Sequence, residues 1–262
     1  MSAIIKIKGC VTMHNFFVDE NNRQGDVYFI TDADFNHIKN VLRMKQGDSF
    51  LVSSASKSDL CVLDSFTEDA VIAKITEEDY QDTSLPIKLY LFQGLPKSDK
   101  MELVIQKAVE LGAEGVIPVE MNRCVVKIDD KKKKSKVARW QAISESAAKQ
   151  SKRTIIPEVY DVLSYKQAME KAKEMDVFIV PYENKDGMKA TKNALSEIKK
   201  GMSVGILIGP EGGFDEKEIE IAESVGGLTV SLGKRILRTE TAAITALSMC
   251  MLYAEMNIED VE

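Results

Sequence analysis

The stretch GILIGPEGGF, residues 205–214, is an apolar segment that runs into a loop of glycine, proline and one acidic residue. The stretch LGKRILRTETAAITAL, residues 232–247, has the same build, with two arginines and a glutamate between an apolar strand and an apolar helix. In α/β sheets, ligands bind at the carboxyl ends of the strands. Together the two stretches predict an α/β fold whose ligand site lies in these two loops.

Apolar strands alternate with helices from Ile87 onward, which is typical of an α/β domain with a largely parallel sheet. In the first of these helices Asp99 and Glu102 have the spacing of a capping box, and Gly112 is expected to end the helix. The segments that read as strands are IKLYLFQG, GVIPVE, DVFIVPYEN, VGILIGPEGG and GLTVSLG.

The first third of the chain has a different pattern, with short strands separated by polar turns and one helix around DADFNHIKNVLR. This pattern predicts a small β-barrel or barrel-like module of about 80 residues. The polar, acidic segment EEDYQDTSLP follows it. We therefore expect two domains, residues 1–80 and residues 81–262.

The charge of the chain is uneven. The net charge is −6, yet the segment from Met121 to Arg153 carries eleven Lys or Arg against three Asp or Glu, a local charge of +8. A basic field on an acidic body can still bind phosphate groups. For the four lysines at 131–134 alone, an exposed solubilising loop is the favoured interpretation.

The composition excludes several classes of protein. No run approaches the roughly 18 apolar residues of a membrane span, and the N-terminal stretch lacks the features of a secretory signal. We therefore expect a cytoplasmic protein with no membrane partner. Four separated cysteines and two histidines show no metal-ligand spacing, which argues against a metal site. The chemistry must use carboxylates, arginines, backbone groups or a bound cofactor.

The glycine-rich loop at residues 209–213 favours a particular kind of ligand. Its glycines allow the backbone to lie against a flat molecule. Glu211 would repel phosphate, so a neutral or cationic ligand with an aromatic ring fits better. Asp215 and Glu218 have capping-box spacing and open the next helix. A tight turn with no ligand is the alternative.

The arginine-containing stretch is less easily explained by folding alone. Arg235 and Arg238 follow a strand, where buried guanidinium groups need partners. An Arg238–Glu240 ion pair is one interpretation, and stabilisation of negative charge on a substrate is the other. Thr239 is expected to cap the last helix. The residues expected on the buried face of that helix are Ile244, Leu247 and Met251.

The motifs LIGPEGGF and LGKRILRTETAA resemble those of the RsmE family of ribosomal RNA small-subunit methyltransferases, in the SPOUT superfamily. The resemblance extends to HIKNVLRMKQGD, QGLPKSDKMELVIQKAVELG, RCVVK, RWQAISESAAKQSKRTIIPEV and PYE, and covers nearly the whole chain. It implies a PUA-like RNA-binding β-barrel domain at the N-terminus. It also implies a SPOUT methyltransferase domain with a C-terminal trefoil knot.

The resemblance further implies a homodimer that uses S-adenosylmethionine to methylate N3 of a uridine in 16S rRNA of the small ribosomal subunit, with no metal. The residues implied to bind the cofactor are Tyr182, Glu183, Gly209, Pro210, Glu211, Gly212, Leu232, Gly233, Ile236, Leu237 and Arg238. The residues expected to contact RNA are Arg43, Arg123, Lys127, Gln150, Arg153 and Arg235.

Uridine N3 must lose its proton before it attacks the methyl group. Lowering its pKa by about two units requires ~2.7 kcal/mol of preference for the anion. Arg238, helped by Arg153 or Arg235, is the candidate for stabilising that charge. Glu240 is a possible general base, although a carboxylate tied to Arg238 would be a poor one.

Three positions depart from the family pattern. Asn15 stands where an arginine is usual, Lys152 stands where a glycine is frequent, and twelve residues precede Met13. A non-catalytic RNA-binding protein with the same fold is one alternative. A SPOUT methyltransferase acting on transfer RNA or on another ribosomal site is the other.

Overall fold

The computed structural model describes residues 13–97, 99–126, 128–182 and 187–258. They form two compact units, divided between Asp82 and Thr83. Among the described residues, no helix has the length and apolar character needed to cross a membrane.

The first unit is a six-stranded sheet in the order β1-β4-β5-β6-β3-β2. Among the pairs that the described residues form, β1–β4 is parallel and the others are antiparallel. The β5–β6 pair has two register shifts, between Leu60 and Cys61 and between Leu63 and Ser65, of the kind that β-bulges produce. The strands are β1 Asn15–Phe17, β2 Arg23–Gln24, β3 Val27–Ile30, β4 Ser49–Ser54, β5 Lys57–Phe66 and β6 Val71–Glu77.

The helix predicted in this unit is confirmed. Helix α1, Asp32–Asn36, continues into a π-helical turn, His37–Val41. Ile38 on that turn is fully buried in the core of the sheet with Phe16 and Phe50. The predicted module of strands with one helix is therefore present.

The second unit contains a seven-stranded sheet in the order β10-β8-β7-β12-β11-β13, with β9 also paired to β8. The pairs described in it are parallel, as predicted. The strands are β7 Lys88–Gly94, β8 Gly115–Glu120, β9 Glu158–Val159, β10 Leu163–Ser164, β11 Val177–Pro181, β12 Ser203–Ile208 and β13 Gly227–Val230.

Helices cover both faces of this sheet. The side chains of successive strand residues point to opposite faces and pack into two separate cores. Leu89 and Leu91 of β7 lie in one core with α2, α3, α5 and α7, whereas Phe92 lies in the other with α4 and α6. The helices are α2 Lys100–Glu110, α3 Asp130–Ser151, α4 Tyr165–Ala172, α5 Met188–Ser196, α6 Glu216–Ser224 and α7 Thr239–Asn257.

The capping predictions had mixed outcomes. The box of Asp215 and Glu218 at the start of α6 is confirmed by both of its hydrogen bonds. The box predicted for Asp99 and Glu102 is wrong, since the Asp99 side chain makes no cap. Glu102 instead forms an ion pair of 2.8 Å with Arg139 of α3, so a tertiary contact replaces the local one.

Helix α7 differs from its prediction in two ways. Its N-cap position is Arg238, so the prediction that Thr239 caps the helix is wrong. Leu247 is buried as predicted, but Ile244 and Met251 are only half-buried. Small side chains let α7 lie close to its neighbours, and the residues buried along it with Leu247 include Ala243, Ala246, Cys250 and Ala254.

Candidate functional site

Two loops meet at the carboxyl ends of the two strands that flank β11 in the second unit. The glycine loop, residues 209–214, follows β12, and the arginine loop, residues 231–238, follows β13. Both strands pair with β11, so their carboxyl ends lie at the same edge of the sheet. After β11, the Tyr182 N–H donates to the Val230 carbonyl across 2.9 Å. The two stretches that define the sequence pattern are therefore neighbours in space.

A cavity of about 790 Å³ lies between these loops. Its lining also includes Lys100, Phe214 and Ser231, which sequence reasoning missed. Glu183 and Lys127 lie outside the described residues. The predicted site residues that line the cavity are Arg123, Tyr182, Gly209, Pro210, Glu211, Leu232, Gly233, Arg235, Ile236, Leu237 and Arg238.

A buried hydrogen-bond chain fixes the base of the glycine loop. The Thr239 Oγ1 donates to the Gly209 carbonyl across 2.6 Å and accepts from Gln93 Nε2 across 3.0 Å. The Gln93 amide also donates to the Gly94 carbonyl across 2.9 Å. This chain joins β7, the glycine loop and the first residue of α7. A polar residue in the buried segment IKLYLFQG was the sequence signal for Gln93.

Close backbone packing requires glycine at two points beside the cavity. A Cβ on Gly94 would lie 2.8 Å from the Pro210 backbone nitrogen, and a Cβ on Gly212 would lie 2.8 Å from the Arg123 Cβ. Arg123 also donates from Nη1 to the Gly212 carbonyl across 3.3 Å. Gly212 therefore packs behind the loop, against the segment that follows β8.

The outer side of the glycine loop is held by charged groups. The Lys100 Nζ lies 3.1 Å from a carboxylate oxygen of Glu211 and 3.1 Å from one of Glu240. The Lys97 N–H donates to the Glu211 carboxylate across 3.0 Å. The Arg238–Glu240 ion pair considered from the sequence is wrong, because Glu240 pairs with Lys100.

These contacts keep both carboxylates ionised. Burial alone would raise the pKa of Glu211, but N–H groups of its own residue and of Lys97, with the Lys100 ammonium, lower it below its usual range. Burial likewise opposes the shift at Glu240, where its own N–H, the Lys100 ammonium and the Arg238 charge lower the pKa. A carboxylate with a lowered pKa is a weak proton acceptor.

Hydrogen bonds to another element hold the arginine loop at its start, and its last residue, Arg238, is joined to the first turn of α7. The Thr191 Oγ1 donates to the Ser231 carbonyl across 2.7 Å. Beyond that point Arg235 and Arg238 are exposed, so the prediction of buried guanidinium groups is wrong. No hydrogen bond or ion pair to either side chain comes from the residues that the structure describes. Ile236 is 100% exposed.

Arg153 and Gln150 of the second unit, both predicted site residues, do not line the cavity. Arg153 is only 2% exposed, and its Nη1 donates to the carbonyls of Val109 and Ala113 across 2.9 and 3.0 Å. It therefore binds the carboxyl end of α2 instead of facing the cavity. Gln150 is exposed on α3, beside a groove shared with α2. Arg43 belongs to the first unit, with a left-handed φ of 53°.

Two family departures have structural consequences. Lys152 ends α3 with φ 58° and ψ 37°, the left-handed conformation that glycine adopts without strain. Asn15 is buried and accepts a hydrogen bond of 3.0 Å from the Ser53 hydroxyl, so it belongs to the core of the first unit. Within the described ranges, no group of three His, Cys, Asp or Glu could hold a metal ion.

Comparison with known proteins shows the family to which this chain is related. A family model described as an RNA methyltransferase domain matches residues 83–251, and an RNA methyltransferase PUA domain matches residues 30–54. The ribosomal RNA small subunit methyltransferase E of Bacillus subtilis (strain 168) is 40% identical to this chain over 251 residues. Those residues cover 93% of this chain and 98% of that protein.

Further relatives extend the match to solved structures. The protein of the same name from Mesomycoplasma hyopneumoniae (strain 232) is 34% identical and covers 91% of this chain and 99% of its own. The crystal structure of a ribosomal RNA small subunit methyltransferase E from Neisseria gonorrhoeae, bound to S-adenosyl methionine, has a TM-score of 0.77 at 31% identity and covers 90% of this chain and 95% of its own. The chain therefore belongs to the ribosomal RNA small subunit methyltransferase E family.

Proposed function

We propose that this protein transfers a methyl group from S-adenosylmethionine to N3 of a uridine in 16S rRNA of the small ribosomal subunit. The observation that carries the proposal is the cavity shared by the glycine loop and the cationic arginine loop. One wall suits the cofactor and the other suits an anionic substrate. Family membership supports the same reaction.

The residues around the cavity fit S-adenosylmethionine. A volume of about 790 Å³ is in the range of small-molecule sites. The ionised Glu211 favours a cation, and Tyr182 and Phe214 offer aromatic surfaces with ring centroids 6.2 Å apart. Glycine at the loop base leaves backbone groups free to approach the ligand. When bound, the cofactor supplies an activated methyl group on a sulfonium, so no metal is required.

Arg238 is assigned the stabilisation of the uridine anion. Its exposed guanidinium lines the cavity at the N-cap of α7, where the helix dipole also favours negative charge. Two units of pKa depression at N3 need ~2.7 kcal/mol, which one or two charge-assisted hydrogen bonds can supply. Arg235 and Lys234 add positive charge to the same wall.

Proton removal is assigned to solvent and not to Glu240. The Glu240 carboxylate is paired with Lys100 at 3.1 Å, and its pKa is lowered. A weak base in an ion pair is poorly suited to take the N3 proton. In this mechanism Arg238 lowers the pKa of N3, and water accepts the proton.

The proposed partners follow from the two units. The first, within residues 1–80, is assigned to RNA binding with Arg43 at its surface, and the second, residues 81–262, to methyl transfer. A second copy of the chain is proposed to pack on α7, where Leu252 and Met256 are 46% and 66% exposed. The reaction is placed in the cytoplasm, where the small subunit is assembled. The trefoil knot implied by the resemblance stays a prediction.

The test is product mapping. Purified protein and S-adenosylmethionine are incubated with small ribosomal subunits from a strain that lacks the modification, and the digested RNA is analysed by mass spectrometry. We expect 3-methyluridine in 16S rRNA. A product only with transfer RNA, or a different methylated nucleoside, would overturn the assigned substrate. Failure to bind the cofactor would favour a non-catalytic RNA-binding protein.

A further inference from the structure

Lys100 connects three parts of the second unit that are distant in sequence. It is the first residue of α2, and its ammonium lies 3.1 Å from Glu211 in the glycine loop and 3.1 Å from Glu240 in the first turn of α7. A lysine at a helix N-terminus opposes the helix dipole. Its placement is therefore explained by the two carboxylates and not by helix formation.

The group is more enclosed than an ordinary surface ion pair. The side chains of Lys100, Glu211 and Glu240 are 29%, 23% and 15% exposed. Glu211 also accepts from the Lys97 N–H, so the segment before α2 holds the loop through its backbone while Lys100 of α2 holds it by charge. Partly buried charges interact more strongly than exposed ones because water screens them less.

Removing the ammonium would leave two carboxylates facing each other. Each lies within hydrogen-bonding distance of the same Nζ atom, so they would repel across a short gap. Glu211 is the more movable of the two, because it lies in a loop. The glycine loop would then move away from α7 and open the cavity wall.

We propose that Lys100 is a positioning residue of the cofactor site, whose ammonium holds the glycine loop against the first turn of α7. This inference rests on the proposed function, since it assumes that the cavity binds S-adenosylmethionine. Lys100 acts through Glu211 and Glu240 and does not itself perform the reaction.

The test compares Lys100→Met with Lys107→Met in the full chain. Methionine keeps an apolar stem of similar length and removes the charge. Lys107 lies on the same helix, and its Nζ pairs at 2.8 Å with Glu110, one turn away. Binding is measured by calorimetry with S-adenosylmethionine and with its neutral product S-adenosylhomocysteine. Hydrogen exchange of residues 209–214 is measured without ligand.

Positioning and a simple charge effect give different results. If Lys100 positions the loop, Lys100→Met weakens binding of both ligands by about tenfold, equivalent to ~1.4 kcal/mol. The Gly213 N–H, which donates to the Pro210 carbonyl across 2.9 Å, then exchanges faster. A change confined to the cationic ligand would overturn positioning, as would a Lys100→Met variant that matches Lys107→Met.

Two more variants keep the test decisive if Lys100→Met is unstable. Lys100→Arg keeps the charge and is expected to restore most of the binding. Glu211→Gln removes the negative charge that pairs with Lys100. In that background Lys100→Met should weaken ligand binding less than it does in the wild type. Equal losses of ligand affinity in both backgrounds would overturn the inference.

If the wild type binds neither ligand, the proposed function fails as well. If it binds and methylates while Lys100→Met behaves normally, only this inference fails.

Discussion

The glycine loop and the arginine loop line one cavity but are held in opposite ways. The glycine loop is bound at its base by Thr239, behind by Arg123 and on its outer side by Lys100. The arginine loop is bound at Ser231 and then exposes Arg235 and a completely exposed Ile236. One wall is preorganised, and the other presents side chains whose described surroundings offer no partner.

Because of this difference, the two walls are expected to contribute differently to ligand binding and to the stability of the fold. Groups fixed in the folded state need no reorganisation when a ligand arrives, so they contribute to binding and to stability. Exposed cations contribute little to stability because water solvates them. They act only when a substrate displaces that water. Substitutions should therefore separate cleanly into those that affect catalysis and those that affect folding.

Arg238→Ala is expected to produce the largest effect. Removing a donor that stabilises charge in the transition state costs about 10²–10³ in rate. Because Arg238 is exposed, the melting temperature should stay within a degree or two of the wild type, as for surface substitutions generally. Single-turnover methylation and calorimetry measure the two quantities. A large loss of stability with a normal rate per folded molecule would reverse the comparison between the loops.

Gly212→Ala tests how rigidly the glycine loop is held. The new Cβ would lie 2.8 Å from the Arg123 Cβ and 2.9 Å from its carbonyl oxygen, so the loop must move. We expect binding of S-adenosylhomocysteine to weaken by about tenfold or more, equivalent to at least ~1.4 kcal/mol. Arg123→Ala is the matched control, since it keeps the crowding Cβ and carbonyl atoms and removes the rest of the side chain, including the guanidinium. Equal affinities for wild type and Gly212→Ala would show that the loop is not rigid.

Thr239→Val tests the base of the glycine loop. The substitution keeps the shape of the side chain but removes the hydroxyl, and leaves the Gln93 amide and the Gly209 carbonyl with one partner fewer. Buried groups left without a partner cost about 1–3 kcal/mol each in unfolding free energy. Thr241→Val, on the exposed side of the same helix, should change it by less than about 0.5 kcal/mol. Urea denaturation measures both, and similar losses would contradict the assignment.

The sequence predicted the position of the site because local patterns carry that information. Alternating strands and helices give a parallel sheet, and Gly209 and Arg238 follow strands whose carboxyl ends must share an edge. The contacts that hold the glycine loop in place could not be predicted, since they join residues far apart in sequence. Gln93 and Thr239 are 146 positions apart, and Lys97 and Glu211 are 114 apart. The structural propensities of short sequence segments give no information about such distant pairs.

The incorrect predictions have the same origin. Asp99 and Glu102 have capping-box spacing, yet Arg139 of another helix takes the Glu102 carboxylate. Arg153 was expected at the site because of its charge and family position, but it binds carbonyls at the end of α2. Spacing along the chain identifies which residues are available for a local contact. It does not identify a stronger partner from elsewhere.

The lowered pKa of Glu211 in the glycine loop leads to a prediction about the pH dependence of stability. Glu211 has a folded pKa below its ordinary value, despite the opposing effect of burial, because N–H groups and Lys100 favour the carboxylate. Its contribution to stability is therefore complete above the ordinary carboxyl pKa of about 4.3 and is lost as the pH falls through the lowered folded pKa. The melting-temperature difference between wild type and Glu211→Gln should be constant from pH 7 to about 5 and shrink below about 4. A difference that grows in acid would contradict the lowered pKa.

Ile236→Ser is expected to have the smallest effect on folding and gives the sharpest contrast between the loops. A fully exposed side chain buries no apolar surface in the folded chain, so its removal should change the unfolding free energy by less than about 0.5 kcal/mol. An apolar residue between exposed cations has no stabilising role within one chain, and any role must come from what the loop contacts. Urea denaturation at low protein concentration isolates the single chain. A loss above about 1 kcal/mol there would show that the arginine loop is held by contacts of its own, and the distinction between the two walls would fail.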